Sequence, residues 1–530
     1  MTERAEAAHP AGITADPVVG AGPPVPPATG AGRRLPTGEA AVRRLAAALP
    51  LTAVLAVAAV FRFWRLTAVG LNSDEAVYTG TAASLAGDDT LGAMFPVFRA
   101  HPVLFQTLLS LVLRVHSSDW TARAVPAAIG VAAVAMTYAL GSRLYGRTAG
   151  LLAALLLAVM PYHVVVSRQV LLDGTMTLCA TAVLYCVVRY AESPRLRWLL
   201  AAGGAMGATV LAKETSVILL GGLYAFFALT PAVRMRVRHL LLASGVMAAV
   251  IAASPLALAL SGRSGTGGNY LLWQLFRRSN HELTFYLTAV PPDVGPAVLL
   301  AAAAGLVWLR KENTWRERLL LCWIAVPVLF FTMWPVKGYQ YLLPVAAPLA
   351  VLAGRALARL PWAGRHTWPV RAGAAALALA VVTSLAVPAW ARTDPPDNGR
   401  FLAGSGGLPG GREAGVWLRG HVPEGARLLV IGPSMGNVLQ YYGHRPAQAL
   451  SVSPDPRSRN PSYAPVPNPD RSLRDGEFQY VVWDAYSARR TPFFTAEAEK
   501  LIDRYHGTAV FTATGAGGTP IVVIYRVRAT

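Results

Sequence analysis

The chain has 530 residues, 54% of them hydrophobic and only 14% charged, with a formal net charge of +20. Soluble chains hold about 45–50% apolar and about 25% charged residues, so this composition indicates a polytopic membrane protein. Much of the Arg lies in short clusters between apolar runs, which removes the reason to invoke nucleic acid as a partner.

In chain order, residues 1–44 open on an Ala-, Pro- and Gly-rich stretch and are expected to form a disordered cytoplasmic tail. The first apolar run is too long and too far from the start for a cleaved signal peptide. A membrane-crossing helix needs roughly 20 mostly apolar residues. Eleven segments qualify: 46–66, 121–142, 148–166, 171–190, 197–212, 216–230, 239–260, 294–309, 318–335, 340–360 and 370–390.

Arginines fix the expected orientation. Arg33, Arg34, Arg43 and Arg44 precede the first span, placing the N-terminus in the cytoplasm. Arg143/Arg147, Arg195/Arg197, Arg234/Arg236/Arg238, Arg310/Lys311/Arg316/Arg318 and Arg355/Arg359/Arg365 then all fall in cytoplasmic loops under one alternating pattern. The segment HPVLFQTLLSLVLRVH, 101–116, is short, and counting it as a span would put the later Arg clusters outside. It is therefore expected to lie in the outer interface or to re-enter the membrane. The expected fold class is a polytopic α-helical membrane protein with a C-terminal extracytoplasmic α/β domain. A multi-spanning domain covers 45–390, with a first extracytoplasmic loop at 67–118, and the α/β domain covers 391–530.

That last region changes character. PEGARLLVIGPS, FQYVVWDAY and TPIVVIYRV read as strands, and TAEAEKLIDRYHG as a helix. SPDPRSRNPSYAPVPNPDRS is a Pro-rich loop, and GPSMGN lacks Walker spacing for a phosphate loop. The three cysteines, Cys179, Cys186 and Cys322, lie in apolar runs, so no disulfide or Cys-based zinc site staples this region.

The polar residues that carry chemistry gather at the outer ends of the spans. Asp74 and Glu75 stand in LNSDEAVYTG, where the first span ends. Locally they fit a helix start, with Ser73 as N-cap and two acids complementing the dipole. His101 follows in the same loop, Arg168 and Asp173 stand in SRQVLLDG, and Lys213 and Glu214 in LAKETS. Arg277 and Arg278 lie in NYLLWQLFRRSNHELTFY, and Lys337 and Tyr341 in WPVKGYQY. Singly, each has a plain alternative: Asp173 a helix cap, Lys213/Glu214 a neutralising pair, Lys337 a snorkelling cation. Together, ionisable groups at membrane depth and cations at outer ends point to function. Cations suit a lipid phosphate, and a carboxylate suits a base for an attacking hydroxyl.

The ordered motifs SDEAVY, HPVL, RAVPAAIGVAAV, SRLYGRTAGLLAALLLAVMP, SRQVLLDG, LAKETS and KGYQYLLPVAAPLAVLAG cover about 45–360. In that order they resemble the polyprenyl-phosphate-dependent membrane glycosyltransferases of the C-type fold, which include protein O-mannosyltransferases and the aminoarabinose transferase of lipid A. One departure is Val103, where the family has a second Pro. The resemblance implies inverting transfer of a sugar from a polyprenyl-phosphate donor to a lipid, glycan or protein hydroxyl outside the cell membrane. It implies Asp74 as base, Glu75 orienting it, and Asp173 as the acid of the second outer loop. His101, Arg168, Lys213, Arg277, Arg278, Lys337 and Tyr341 become candidates for holding the lipid phosphate. The resemblance leaves metal dependence open: diphosphate-using relatives need a divalent ion between their acidic loops, whereas monophosphate users often do not, and Asp88-Asp89 resembles part of an acidic metal motif or else a solvated turn. Rival readings are a flippase of lipid-linked sugar, a membrane-anchored binding protein, and a diphosphate-oligosaccharide transferase of the same fold.

Overall fold

The computed structural model describes residues 38–97, 100–261, 267–277, 279–307, 315–362, 367–393 and 407–528. Most of the expected tail, Arg310, Lys311 and Arg365 lie outside these residues. The chain divides into two units, Met1–Ala48 and Leu49–Thr530, and apart from the first residues of α1 everything that follows concerns the second.

The described residues of the eleven apolar segments fall largely in α-helices and 3-10 turns. The helices run α1 (Gly38–Phe63), α2 (Ser73–Ala86), α3 (Asp89–Met94), α4 (Leu104–Leu113), α5 (Asp119–Tyr145), α6 (Arg147–Val159), α7 (Pro161–Ser167) and α8 (Leu172–Glu192). They continue with α9 (Leu196–Ala212), a 3-10 turn at Glu214–Ile218, α10 (Leu219–Leu229), α11 (Val237–Ser261), α12 (Gly267–Phe276), α13 (Phe285–Ala289), α14 (Pro291–Val294) and α15 (Pro296–Val307). The bundle closes with Trp315–Met333, a 3-10 turn at Tyr339–Val345, Ala346–Ala358 and Trp368–Ala391.

Among the described residues five helices are long and apolar enough to cross a membrane, or up to seven if each bent pair is one span. The bent pairs are α6 with α7, at 60°, and the 285–294 helices with α15, at 92°. Pro161 starts α7 because proline tolerates only the first helical turn, so the span breaks there. The segment expected at 101–116 forms α4, a helix of 10 residues, too short to cross.

Within LNSDEAVYTG, α2 is capped by Asn72, not Ser73. The Asn72 side chain accepts from the backbone N–H of Glu75, and the Glu75 carboxylate accepts from that of Asn72. This reciprocal capping box satisfies two orphan donors at the start of α2. Gly87, at φ 105°, ends the helix in the left-handed region that glycine adopts without strain.

The C-terminal region is built on a five-stranded sheet of order β2-β1-β3-β5-β4. Its strands are β1 (Leu428–Val430), β2 (Ala447–Ala449), β3 (Tyr480–Asp484), β4 (Thr508–Thr514) and β5 (Pro520–Arg526). β1 pairs parallel with β2 and β3, while β5 runs antiparallel between β3 and β4. The helices Gly411–His421, Pro433–Gly443 and Pro492–Arg504 flank it. GPSMGN forms the entry into the second of these, with Pro433 in its first turn.

One apolar core is shared between this sheet and the chain after α1. Leu71, Ala76, Phe95 and Leu109 pack in the same cluster as Ala414, Met435, Val438 and Leu439. Each large apolar side chain so buried contributes about 1.5–3 kcal/mol, which fixes the α/β region firmly against α2–α4. Polar bonds seal the contact: Asn437 Nδ2 donates to Ser73 Oγ at 3.0 Å. Tyr442 Oη donates to Asp119 at 2.7 Å and accepts from Leu71 N–H at 2.9 Å.

Candidate active site

Asp74 and Glu75 are neighbours with opposite fates. Arg123 Nε and Nη2 donate to the two oxygens of Glu75, each at 2.7 Å. The backbone N–H groups of Asn72 and Val170 add bonds at 3.0 and 3.1 Å. Arg123 is itself tied to the carbonyls of Leu66, Val69 and Gly70. Glu75 is fully buried, with both oxygens engaged. Its geometry is that of a support for the loop, with no carboxylate oxygen left free for a substrate proton.

Asp74, one residue earlier on α2, turns to another face and is half-buried. No hydrogen bond or ion pair is found for its carboxylate among the described residues. Burial pushes its carboxyl above the usual aspartate range. Lys213 and His101 oppose that shift, while Asp173 and Glu75 reinforce it. A half-buried, unpaired carboxylate of raised basicity among cations is suited to accept a proton.

The cations and acids around it are paired crosswise. Lys213 Nζ donates to both oxygens of Asp173, at 2.8 and 3.0 Å. His101 Nδ1 lies 2.9 and 3.0 Å from the two oxygens of Glu214. A carboxylate only accepts, so the proton of that contact belongs to His101 and its Nε2 is left for another partner. Lys213 and Glu214 are thus not each other's partners, although adjacent in sequence. Asp173 is the second residue of α8 and its carboxylate is spent on Lys213, not on capping.

Aromatic rings line the same place. Lys213 Nζ sits 4.5 Å from the centre of the Tyr341 ring. The His101 ring lies 6.0 Å from that of Tyr78 and 5.0 Å from that of Tyr270. Tyr78 is one helical turn after Asp74, hence on the same face of α2. Burial pushes its hydroxyl well above the usual tyrosine range, reinforced by Asp74. Gln274 donates to Tyr270 Oη at 2.7 Å, Arg277 reaches Gln274 at 3.4 Å, and the Arg277 guanidinium lies over Trp273 at 4.6 Å.

The candidate residues therefore separate into groups. Asp74, His101, Asp173, Lys213 and Tyr341 come together, and Arg277 stands beside them just past the end of α12. Arg168 does not join them: its guanidinium donates to the carbonyls of Phe61, Arg62, Arg65 and Thr393, so it ties chain segments together. Lys337 Nζ donates to the Trp334 carbonyl at 2.8 Å, and its backbone pairs with Asn280. It is buried four residues before Tyr341, next to the site without lining the Asp74 face. Arg278 lies outside the described residues. Asp88 caps α3, accepting from Leu91 N–H at 2.9 Å.

Sequence reasoning missed Tyr78, Tyr270 and Arg123. The one-turn spacing from Asp74 was the available signal for Tyr78. The other two depend on tertiary contacts alone. Among the described residues no group of three or more His, Cys, Asp or Glu could hold a metal ion. Asp173, the acid opposite Asp74, already has its charge met by an ammonium group.

The chain is similar to known proteins by sequence and by fold. Residues 100–258 match the family model described as dolichyl-phosphate-mannose-protein mannosyltransferase. An undecaprenyl phosphate-alpha-4-amino-4-deoxy-L-arabinose arabinosyl transferase from Pectobacterium carotovorum is 31% identical over 229 residues, 40% of this chain and 41% of that protein. One of the same description from Sodalis glossinidius is 34% identical over 112 residues, 19% of this chain and 20% of that one. The matched region thus spans well under half the length of these curated relatives. Among solved structures, apo ArnT from Cupriavidus metallidurans superposes with TM-score 0.65 at 16% identity, covering 90% of this chain and 98% of that one. The oligosaccharyltransferase of Archaeoglobus fulgidus gives TM-score 0.58 at 15% identity, covering 91% and 74%. The membrane fold is the one these glycosyltransferases share, and motif order, family model and fold all point the same way.

Proposed function

We propose that the chain is a multi-pass membrane glycosyltransferase that moves a sugar, with inversion, from a polyprenyl-phosphate carrier to an acceptor hydroxyl. Asp74 is the base. The observation that carries this reading is the contrast within the pair: Glu75 is fully engaged by Arg123, while Asp74 faces Lys213 and His101 unpaired. The curated relatives carry the name of an undecaprenyl phosphate-alpha-4-amino-4-deoxy-L-arabinose arabinosyl transferase. A structure of the shared fold, ArnT at TM-score 0.63, is of a complex with undecaprenyl phosphate.

In this mechanism the acceptor oxygen attacks the anomeric carbon and its proton passes to an Asp74 oxygen. The bond between that carbon and the phosphate oxygen breaks, and its electron pair leaves with the phosphate. Charge therefore grows on the lipid phosphate as the bond breaks. His101 Nε2, Lys213 and Arg277 are placed to offset it, with Lys337 behind them. Tyr78, Tyr270 and Tyr341 wall the space and supply apolar faces with hydroxyl donors. Asp173 holds Lys213 in register. Because Lys213 already bridges both Asp173 oxygens, we read the acid pair as served by an ammonium group and not by a divalent ion.

The alternating Arg clusters support eleven spans with the N-terminus cytoplasmic. The 67–118 loop, the Asp74 site and the 391–530 domain then face the outside, where a lipid-linked donor and an envelope acceptor meet. The test is sugar transfer in purified membranes from radiolabelled polyprenyl-phosphate aminoarabinose, arabinose, mannose and glucose, with and without chelator. Label passing to an acceptor from one donor, undiminished by chelator, is the expected result. Movement of lipid-linked sugar between leaflets without any new glycosidic bond would replace the enzyme by a flippase. Loss of transfer on chelation would place a metal in the reaction.

A further inference from the structure

The GPSMGN segment and the Pro-rich loop around Tyr463 have no part in the chemistry above, yet they wall one cleft. It has a volume of about 230 Å³ and lies between the α/β region and α3. Its polar lining comes from Arg427, Asn437, Gln440, Gln448, Ser462 and Tyr463. Met94 of α3, with Val430, Pro433 and Val452, supplies apolar floor.

The chemistry of this lining is specific. The Asn437 oxygen, the Gln440 amide hydrogens and the Gln448 carboxamide, with a hydroxyl and a phenol, offer neutral donors and acceptors, as sugar hydroxyls require. Among the described residues no aspartate, glutamate or lysine lines the cleft, and the one guanidinium, Arg427, lies over the Phe478 ring at 5.3 Å. An anionic headgroup or acidic peptide would find one cation among the described lining residues. The half-buried Tyr463 ring adds an apolar part to this lining.

Hydrogen bonds join the cleft to the start of α2. Asn437 donates to Tyr463 Oη at 2.9 Å and to Ser73 Oγ at 3.0 Å, and Ser73 directly precedes Asp74. Asn437 is 1% exposed and Ser73 5%, so this link is dry and geometrically fixed. A ligand seated here touches the α/β domain and α3 of the 67–118 loop at once.

We propose that this cleft is the acceptor site, and that the acceptor is a neutral glycan bound through its sugar hydroxyls. This rests on the glycosyltransferase reading for its role, but the binding itself is measurable without turnover. The experiment uses the full-length protein in lipid nanodiscs and saturation-transfer NMR. The probes are mannotriose, arabinotriose and maltotriose, with a short serine- and threonine-rich peptide as the fourth. At least one oligosaccharide is expected to bind, and Tyr463→Ala and Gln448→Leu each to weaken it about tenfold, as loss of one or two contacts does. Gln448→Leu leaves the β2 backbone pairing in place and guards against a folding artefact from Tyr463→Ala. Asp74→Asn is expected to bind the oligosaccharide as the wild type does. Absence of binding by all three sugars, binding that survives both substitutions, or binding of the peptide alone would overturn the proposal. Should Asp74→Asn still transfer sugar while Gln448→Leu loses the oligosaccharide, the assignment of the base fails and the glycan site stands.

Discussion

The ammonium group of Lys213 bridges both carboxylate oxygens of Asp173, at 2.8 and 3.0 Å, joining the start of α8 to the end of α9. Both side chains are almost fully buried. That pairing leaves Asp74 as the acid of the site without a partner, and it orients the cation that faces the Tyr341 ring.

Lys213→Met should therefore do two kinds of damage. It removes a cation from the place where phosphate charge grows, and it strands Asp173 as a buried unpaired carboxylate. Breaking a buried pair from one side costs about 3–5 kcal/mol. The double variant Lys213→Met/Asp173→Asn should recover stability, read by thermal unfolding, while transfer stays low. Recovery of transfer together with stability would show that Lys213 has only a structural role.

Glu75→Gln should act through the fold. It leaves Arg123 with its three backbone carbonyls but without a counter-charge, again at about 3–5 kcal/mol. Thermal unfolding and the yield of folded protein should fall sharply. Specific activity per folded molecule should fall far less than in Asp74→Asn. Wild-type stability would contradict the supporting role assigned to Glu75.

The rate should carry an acid limb set by Asp74. The base works only when ionised, and burial holds its carboxyl above the usual value, near 3.9 for a free aspartate. Transfer should therefore decline, as pH falls, at a pH above that value. For stability the sign is opposite: the folded group binds its proton more tightly than the unfolded one. Its contribution is full below the unfolded value and is lost as pH rises through the folded value. A rate profile flat down to the ordinary aspartate range would contradict the assignment.

A second raised carboxyl lies in the α/β domain. Asp484 is fully buried at the end of β3, accepts from Ser487 N–H at 2.7 Å, and burial pushes its carboxyl from 3.8 up to about 6. Its stabilising contribution is present below 3.8 and lost as pH rises to about 6, a loss of about 3 kcal/mol. Asp484→Asn keeps an acceptor for Ser487 and removes the charge. The variant should be the more stable at neutral pH and lose that advantage in acid, as read by hydrogen exchange of the β1 and β3 amides. Equal protection at neutral pH would refute this.

The apolar runs were legible because each is a stretch of one composition, and their described residues fall largely in helices, of which five, or up to seven with the bent pairs, are long and apolar enough to cross a membrane. The strands at 428–430, 480–484 and 520–526 were legible as short apolar runs between turns. The cap of α2 was read one residue late: Asn72 and Glu75 carry the three-residue spacing of a capping box, but the Ser before the acid pair drew attention instead. Partnerships were not legible. Lys213 adjoins Glu214 in sequence yet bonds Asp173, and His101 takes Glu214 from 113 positions away. Arg168 looked like a phosphate ligand because its charge is visible in sequence, whereas the carbonyls that occupy it exist only once α1 packs beside α7. The cleft at Tyr463 joins segments that no local pattern connects.

The measurement that bears most directly on the account is sugar transfer by Asp74→Asn against wild type, at equal amounts of folded protein in the membrane. The substitution removes a carboxylate that has no hydrogen-bond partner among the described residues and whose ionised form burial disfavours, so unfolding temperature at neutral pH should not fall. Transfer should drop by about 10²–10⁴-fold, the range that a positioned general base supplies. Transfer at the wild-type rate would show that Asp74 only begins a helix, and the proposed chemistry would have to be abandoned.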